Sequence, residues 1–142
     1  MRRAVVFILR FGLGALLIAA GVLKLRDPGA FATEIANYQL FPMLAPYLAA
    51  ALPLAEVLVG ATLLVAPGAW RRPAALAAAA LFAMFVVAVT AAYTRRINIE
   101  CGCFGTGGGP INALTVLRNV GLTAAAVLLL LGERERPAPR VA

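Results

Sequence analysis

The chain lacks histidine altogether, holds only two cysteines and carries six acidic residues against thirteen basic ones. Without imidazole the commonest general base and metal ligand is gone, so few side chains are left to do chemistry. Charge as a whole is scarce: 13% of residues are charged and 63% are hydrophobic, with a mean hydropathy of +0.91. A soluble domain carries about 25% charged and about 45–50% apolar residues, which excludes that class and leaves a membrane protein. Alternation at period two is absent, which excludes a transmembrane β-barrel. Internal repeats and long low-complexity tracts are missing too. The net charge of +7 does not point to nucleic acid. The basic residues form small clusters between apolar runs, the pattern that marks loop orientation, rather than a stripe interleaved with aromatics.

What is present is four apolar stretches of spanning length: Ala4 to Leu23, Tyr47 to Ala66, Ala74 to Thr94 and Ile111 to Leu131. A helix needs about 20 residues to cross a hydrocarbon core roughly 30 Å thick. Backbone groups cannot stay unpaired in lipid, so these runs are expected as helices. The fold class is therefore all-α, a four-transmembrane-helix bundle, with one domain over residues 1–132 and a short disordered cytoplasmic tail over 133–142. The first stretch follows Met1-Arg2-Arg3 as a signal peptide would. Its apolar length exceeds the roughly 7–15 residues of a signal core, and no small-x-small cleavage site follows, so a retained span is expected.

Loop charges set the orientation. Seven basic residues lie at the two termini and in the loop with Arg71 and Arg72, against four in the loops with Lys24, Arg26, Arg95 and Arg96. The positive-inside rule then places both termini in the cytoplasm of an inner-membrane protein. Cys101 and Cys103 fall on the extracytoplasmic face, where disulfides persist.

Between the first two spans, Asp27 followed by Pro28 reads as a helix start. Phe31, Ile35 and Tyr38 recur at helical spacing with Thr33, Glu34 and Asn37 between them. A short amphipathic interfacial helix over Pro28 to Tyr38 is expected, either as an ordinary linker or as a lid over the cysteine loop. Within the spans, Ala75, Ala79 and Ala83 form one small-residue ridge, and Gly121 with Ala125 another, suited to packing inside the bundle.

Glu56 stands about halfway along the second span, where a carboxylate costs roughly 2–3 kcal/mol unless paired or protonated. Pro53, Glu56 and Gly60 share a helical face that should look into the bundle. Arg118, beside Asn119 in the fourth span, is at similar depth and is the expected partner of Glu56. Arg10 lies nearer the inner surface, from which it can snorkel to the headgroups. The Glu56/Arg118 pair reads either as a structural ion pair fixing helix register or as a polar pocket that handles a proton or a quinone.

The sulfurs sit in Cys101-Gly102-Cys103-Phe104-Gly105. Cα atoms two residues apart are separated by roughly 5–7 Å, within reach of a disulfide. Closing so small a ring strains it, and Gly102 permits the backbone angles that closure needs. A strained, exposed disulfide suits exchange better than scaffolding. Arg95, Arg96 and Lys24 bring positive charge to the same face, favouring thiolate, while Glu100 opposes them. Three roles remain open on these residues: a redox-active pair, a soft-metal site for copper(I) or mercury, and inert structural cysteines. Two sulfurs without histidine leave most metals undercoordinated, though they can suffice for copper(I); no residue is assigned as a metal ligand. The glycine-rich run after Gly105 lacks the Gly-Lys-Ser/Thr of a phosphate loop.

Taken in order, Lys24, Asp27, Phe31 and Tyr38, then Leu52-Pro53-x-x-Glu56, then Cys101-Gly102-Cys103-Phe104-Gly105, then Arg118-Asn119 resemble the MauE family within a wider DoxX-like group. The Cys-Gly-Cys-Phe-Gly string is the most specific element. The resemblance implies a four-helix bundle working with a thioredoxin-like extracytoplasmic protein, and a link to maturation of a disulfide-rich client in methylamine utilisation. It implies Cys101 and Cys103 as the redox pair, with Glu56, Arg118, Asn119 and Lys24 as a polar signature and Gly102, Phe104 and Gly105 as the motif's backbone. The group also looks like a distant counterpart of quinone-linked thiol oxidases. Those commonly carry a second cysteine pair, which this chain lacks. The expected function is a membrane thiol–disulfide oxidoreductase component, with quinone as a candidate cofactor. The alternatives are a non-enzymatic anchor or assembly factor, or a small metal-handling or transport protein.

Overall fold

A computed structural model describes residues 1–97 and 110–134, without the side chain of Arg134. All regular elements among the described residues are helices: α1 (Arg2–Leu25), α2 (Pro28–Asn37), a 3-10 turn (Pro42–Leu44), α3 (Ala45–Val65), α4 (Gly68–Thr94) and α5 (Ala113–Arg134). The four long helices are each long and apolar enough to cross a membrane, as the four apolar runs require. Each extends past its apolar run at one end or both. Thus α4 begins at Gly68 and takes Pro73 into its interior, where the missing N–H removes one bond early in the helix. Helix α5 continues through residues 133 and 134, where the tail was expected to begin; residues 135–142 lie outside the described residues.

Each long helix turns one narrow seam inward. On α1 the buried seam is Val6, Arg10, Leu13, Leu17, Ala20 and Lys24; on α3 it is Ala45, Ala49, Pro53, Glu56, Gly60 and Leu63. Steps of three and four residues keep such a seam on one face of a helix. The Pro53–Glu56–Gly60 face therefore does look into the bundle. Helices α1 and α3 run antiparallel and touch backbone to backbone. A Cβ on Gly60 would lie 2.6 Å from the carbonyl oxygen of Gly14, and one on Gly21 would lie 2.7 Å from that of Pro53. Glycine is what lets the two backbones come this close where lipid gives no hydrophobic drive.

The core between the pairs α1/α3 and α4/α5 holds Leu13, Leu17 and Leu63 against Ala75, Ala78, Phe82, Ala126 and Leu129. The alanine ridge is displaced from its expected line. Ala75 and Ala79 are buried together with Ala74 and Ala78, whereas Ala83 is exposed, because the inward face continues to Phe82. Ala125 packs on the core, but Gly121 faces open space; the α5 seam runs through Asn119, Leu122 and Ala126 instead. Arg10 points into the bundle rather than out from it. It is buried on the α1 seam, with its guanidinium 4.9 Å from the centre of the Phe11 ring and 5.9 Å from that of Phe7, a cation–π setting rather than a snorkelling one.

At the end of the bundle away from the termini, α2 folds back across the helices. Its start follows from the Asp27-Pro28 signal: the Asp27 carboxylate accepts from the Ala30 N–H at 3.0 Å. Its end is held from α4, where Arg95 Nη1 donates to the Tyr38 carbonyl at 3.2 Å. Helix α4 itself closes with Arg96 at φ 54°, the Ile97 N–H reaching the Ala92 carbonyl and the Arg96 N–H the Tyr93 carbonyl. That is a Schellman stop with arginine where glycine is usual.

Candidate functional site: a buried ion pair beside an apolar chamber

Glu56 finds its partner on α1. Lys24 Nζ donates to Glu56 Oε1 at 2.6 Å, and both side chains are shut off from the surroundings at 0% and 1% exposure. This corrects the expected Glu56–Arg118 pair. Arg118 lies on an exposed face of α5, one residue off the seam that carries Asn119 inward. One residue turns a helix by about 100°, so equal depth does not give equal direction. Lys24, expected beside the cysteines on the outer face, is inside the protein instead.

Aromatic rings complete the surroundings of the ammonium. Its nitrogen is 4.7 Å from the centre of the Phe85 ring on α4 and 5.4 Å from that of Phe31 on α2. Ring faces carry negative charge, so this buried cation is met by a carboxylate and two π-systems. An ion pair removed from water recovers its desolvation cost only when its geometry and remaining partners are good. Glu56 Oε2 has no hydrogen-bond partner among the described residues. Glu56 borders a small cavity of about 10 Å³, lined also by Leu17, Phe82, Phe85 and Asn119. Asn119 is itself buried, its Nδ2 donating to the Thr115 carbonyl at 2.8 Å.

On the other side of Phe31 and Phe85 lies a chamber of about 450 Å³. Helix α2 contributes Phe31, Ile35 and Tyr38, so the apolar face read from the sequence covers this chamber. Its other walls include Phe41, Leu44, Leu48 and Leu52 from the 3-10 turn and α3, and Met84, Ala88 and Val89 from α4. Among the described residues, no charged one lines it. Glu34, expected on the polar side of α2, is buried with Phe31. It is three residues after Phe31 and four before Tyr38, a spacing that already placed it on their face.

Cys101, Gly102, Cys103, Phe104 and Gly105 lie outside the described residues. The chain leaves the described part at Ile97 and re-enters it at Pro110. Ile111 and Tyr38 both pack against Val89, and Arg95 holds the Tyr38 carbonyl. Both flanks are therefore at the α2 end, next to the chamber. Sequence reasoning missed the roles of Phe31 and Phe85 around Lys24, and it missed the chamber.

No solved structure matches this chain. The family model described as methylamine utilisation protein MauE matches residues 2–132. Methylamine utilization protein MauE of Paracoccus denitrificans is 40% identical over 131 residues, covering 90% of this chain and 69% of that protein. With a polar seam inside four membrane-spanning helices and a match over nearly its whole length, the chain belongs to the MauE family of membrane proteins.

Proposed function

We propose that the protein is a membrane thiol–disulfide oxidoreductase component whose Cys101–Cys103 pair exchanges with a thioredoxin-like protein outside the cytoplasm. In the exchange, a thiolate of the partner attacks one sulfur of the Cys101–Cys103 disulfide. A mixed disulfide forms and the other cysteine leaves as thiolate. The partner's second thiolate then breaks the mixed disulfide, so the partner ends oxidised and the Cys101/Cys103 pair ends as two thiols. Run in the opposite direction, the same steps deliver reductant to a disulfide-rich client. The observation that carries this proposal is the pair itself: these are the only two cysteines of the chain, one glycine apart. Support comes from the flanks of their segment, which meet the bundle at the α2 end. In this proposal that end is the extracytoplasmic one, the side that the loop charges favour.

A membrane quinone is the proposed redox cofactor, and apolar walls of the kind its ring and tail require are present at the α2 end. The chamber at the α2 end is apolar and bears four aromatic side chains. When bound, a quinone supplies a two-electron, two-proton acceptor. The chain's own part is to exclude water with α2 and to keep a fixed charge pair, Lys24 with Glu56, behind the Phe31 and Phe85 wall.

The test is trapping in membranes with Cys101→Ser and Cys103→Ser. At least one variant should accumulate a reducible mixed disulfide with an outer-face thioredoxin-like protein. If neither forms an adduct, and the wild-type thiols keep their redox state when that protein is added, the redox proposal falls. Co-purification without an adduct would then favour a non-enzymatic anchor.

A further inference from the structure

Glu56 on α3 and Asn119 on α5 line one small cavity, closed in by Leu17 and Ala20 of α1 and by Phe82 and Phe85 of α4. Both residues are buried, at 1% and 2% exposure, and neither is hydrogen-bonded to the other. From the geometry we infer that this cavity is a binding site for a single water molecule, which bridges the Glu56 carboxylate to the Asn119 side-chain amide. The site uses neither cysteine and stands apart from the thiol proposal.

Size selects the occupant. The volume of about 10 Å³ is close to the roughly 10–15 Å³ that one water needs, and far too small for a quinone or a lipid chain. A metal cation there would stand beside Lys24, whose ammonium already takes Glu56 Oε1 at 2.6 Å, and like charges repel. Polarity separates a water from a dry void. Cavities that stay empty are lined by hydrocarbon. Here Glu56 Oε2, buried and without a partner among the described residues, is an acceptor still to be met. Across from it, Asn119 spends one Nδ2–H on the Thr115 carbonyl at 2.8 Å and keeps its second N–H and its Oδ1. A water can donate to Glu56 Oε2 and meet Asn119 with its other hydrogen or a lone pair. It then has the two to four partners typical of buried waters.

The bridge joins the ion pair to the end of the bundle that receives the cysteine-bearing segment. Asn112 lies two residues past Pro110, where the chain re-enters the described part. Its Oδ1 accepts from the Thr115 N–H at 3.0 Å and from Thr115 Oγ1 at 3.2 Å, and the Thr115 carbonyl in turn holds Asn119. Steps of three and four residues keep Asn112, Thr115 and Asn119 on one face of α5. The water carries this polar line on to Glu56 and Lys24. Helices α1, α3 and α5 are thereby keyed together inside an apolar core, which fixes the rotation of α5.

The test is water–amide cross-relaxation by NMR on the full chain in detergent micelles, deuterated and labelled with 15N at asparagine. Asn119→Asp assigns the signal. In the wild type the Asn119 side-chain amide should show a cross-peak to water whose sign reverses between laboratory-frame and rotating-frame spectra, the mark of a long-lived dipolar contact. The exposed Asn112 amide should show none. Thr115→Val and Thr123→Val should leave the Asn119 cross-peak in place; its loss would mean relay through a threonine hydroxyl and would overturn the inference. Ala20→Val, which extends methyl groups into the cavity, should abolish the cross-peak in a protein of wild-type melting. Should it unfold, Leu122→Phe fills the same cavity from α5. A cross-peak missing from the wild type, or one that survives in a folded, cavity-filled variant, would overturn the inference.

Discussion

Lys24 Nζ meets Glu56 Oε1 at 2.6 Å across the α1–α3 interface, thirty-two residues apart in sequence and closed off from lipid and bulk water alike. The two helices are antiparallel and held close by glycine, so the pair is both a register mark and a concentration of charge deep in an apolar bundle. Breaking it from one side leaves the other charge unmatched.

Lys24→Met and Glu56→Gln should therefore each lower stability by about 3–5 kcal/mol, the usual cost of stranding one member of a buried pair. The double variant should recover much of that loss. Unfolding in detergent, analysed as a double-mutant cycle, reads the coupling directly. The same cycle run with Glu56→Gln and Arg118→Met should be additive to within about 0.5 kcal/mol. Strong coupling in the Arg118 cycle and none in the Lys24 cycle would reverse the assignment.

How much of this was legible in the sequence depends on which property was read. Apolar length located all four spans, because lipid admits no other backbone solution. The Asp27-Pro28 start of α2 was legible because a cap is a local event. The ion-pair partner was not found by depth, since depth ignores rotation about the helix axis. The seams would have found it. Continuing Leu13, Leu17, Ala20 by four lands on Lys24, and Ala49, Pro53 by three lands on Glu56, whereas Arg118 falls beside the line through Asn119, Leu122 and Ala126. The chamber had no signal of that kind. It arises where α2 spans a gap between α3 and α4, a tertiary fact that no single helix encodes.

Glycines give a second check on the interface. Gly60→Ala and Gly21→Ala force a methyl against backbone oxygens at 2.6 and 2.7 Å, and each should cost about 1–3 kcal/mol as the helices separate. Gly121→Ala meets nothing within 4 Å. It should cost nothing and gain up to about 1 kcal/mol from helix propensity. Thermal unfolding of the three variants in one detergent tests the contrast. Equal effects would mean that α1 and α3 are not in close backbone contact.

Phe85 has a different kind of claim on stability. Its ring is 4.7 Å from the Lys24 nitrogen, and a desolvated cation–π contact is worth up to about 2 kcal/mol. Phe85→Leu keeps the position apolar but removes the π face. Its destabilisation should shrink when Lys24 is already methionine, because the contact it deletes is then absent. A loss of the same size in both backgrounds would show that Phe85 acts by packing alone.

The cover over the chamber depends on two polar contacts at opposite ends of α2. Asp27→Ala removes the acceptor of the Ala30 N–H, a loss of about 1 kcal/mol for a helix cap. Arg95→Gln removes the guanidinium that holds the Tyr38 carbonyl from α4. Helix α2 has only 10 residues, short of the roughly 12–15 at which an isolated helix becomes even marginal in water, so it depends on these ends and on its packing. Both changes should speed hydrogen exchange across Phe31–Tyr38 while leaving the amides around Glu56 in α3 protected, since α3 is held separately by α1. Combined, their effects on α2 should add, the two contacts being at opposite ends and sharing no partner. Exchange that rises equally in α2 and α3 would mean that the short helix unfolds only with the whole bundle. It could not then open over the chamber on its own.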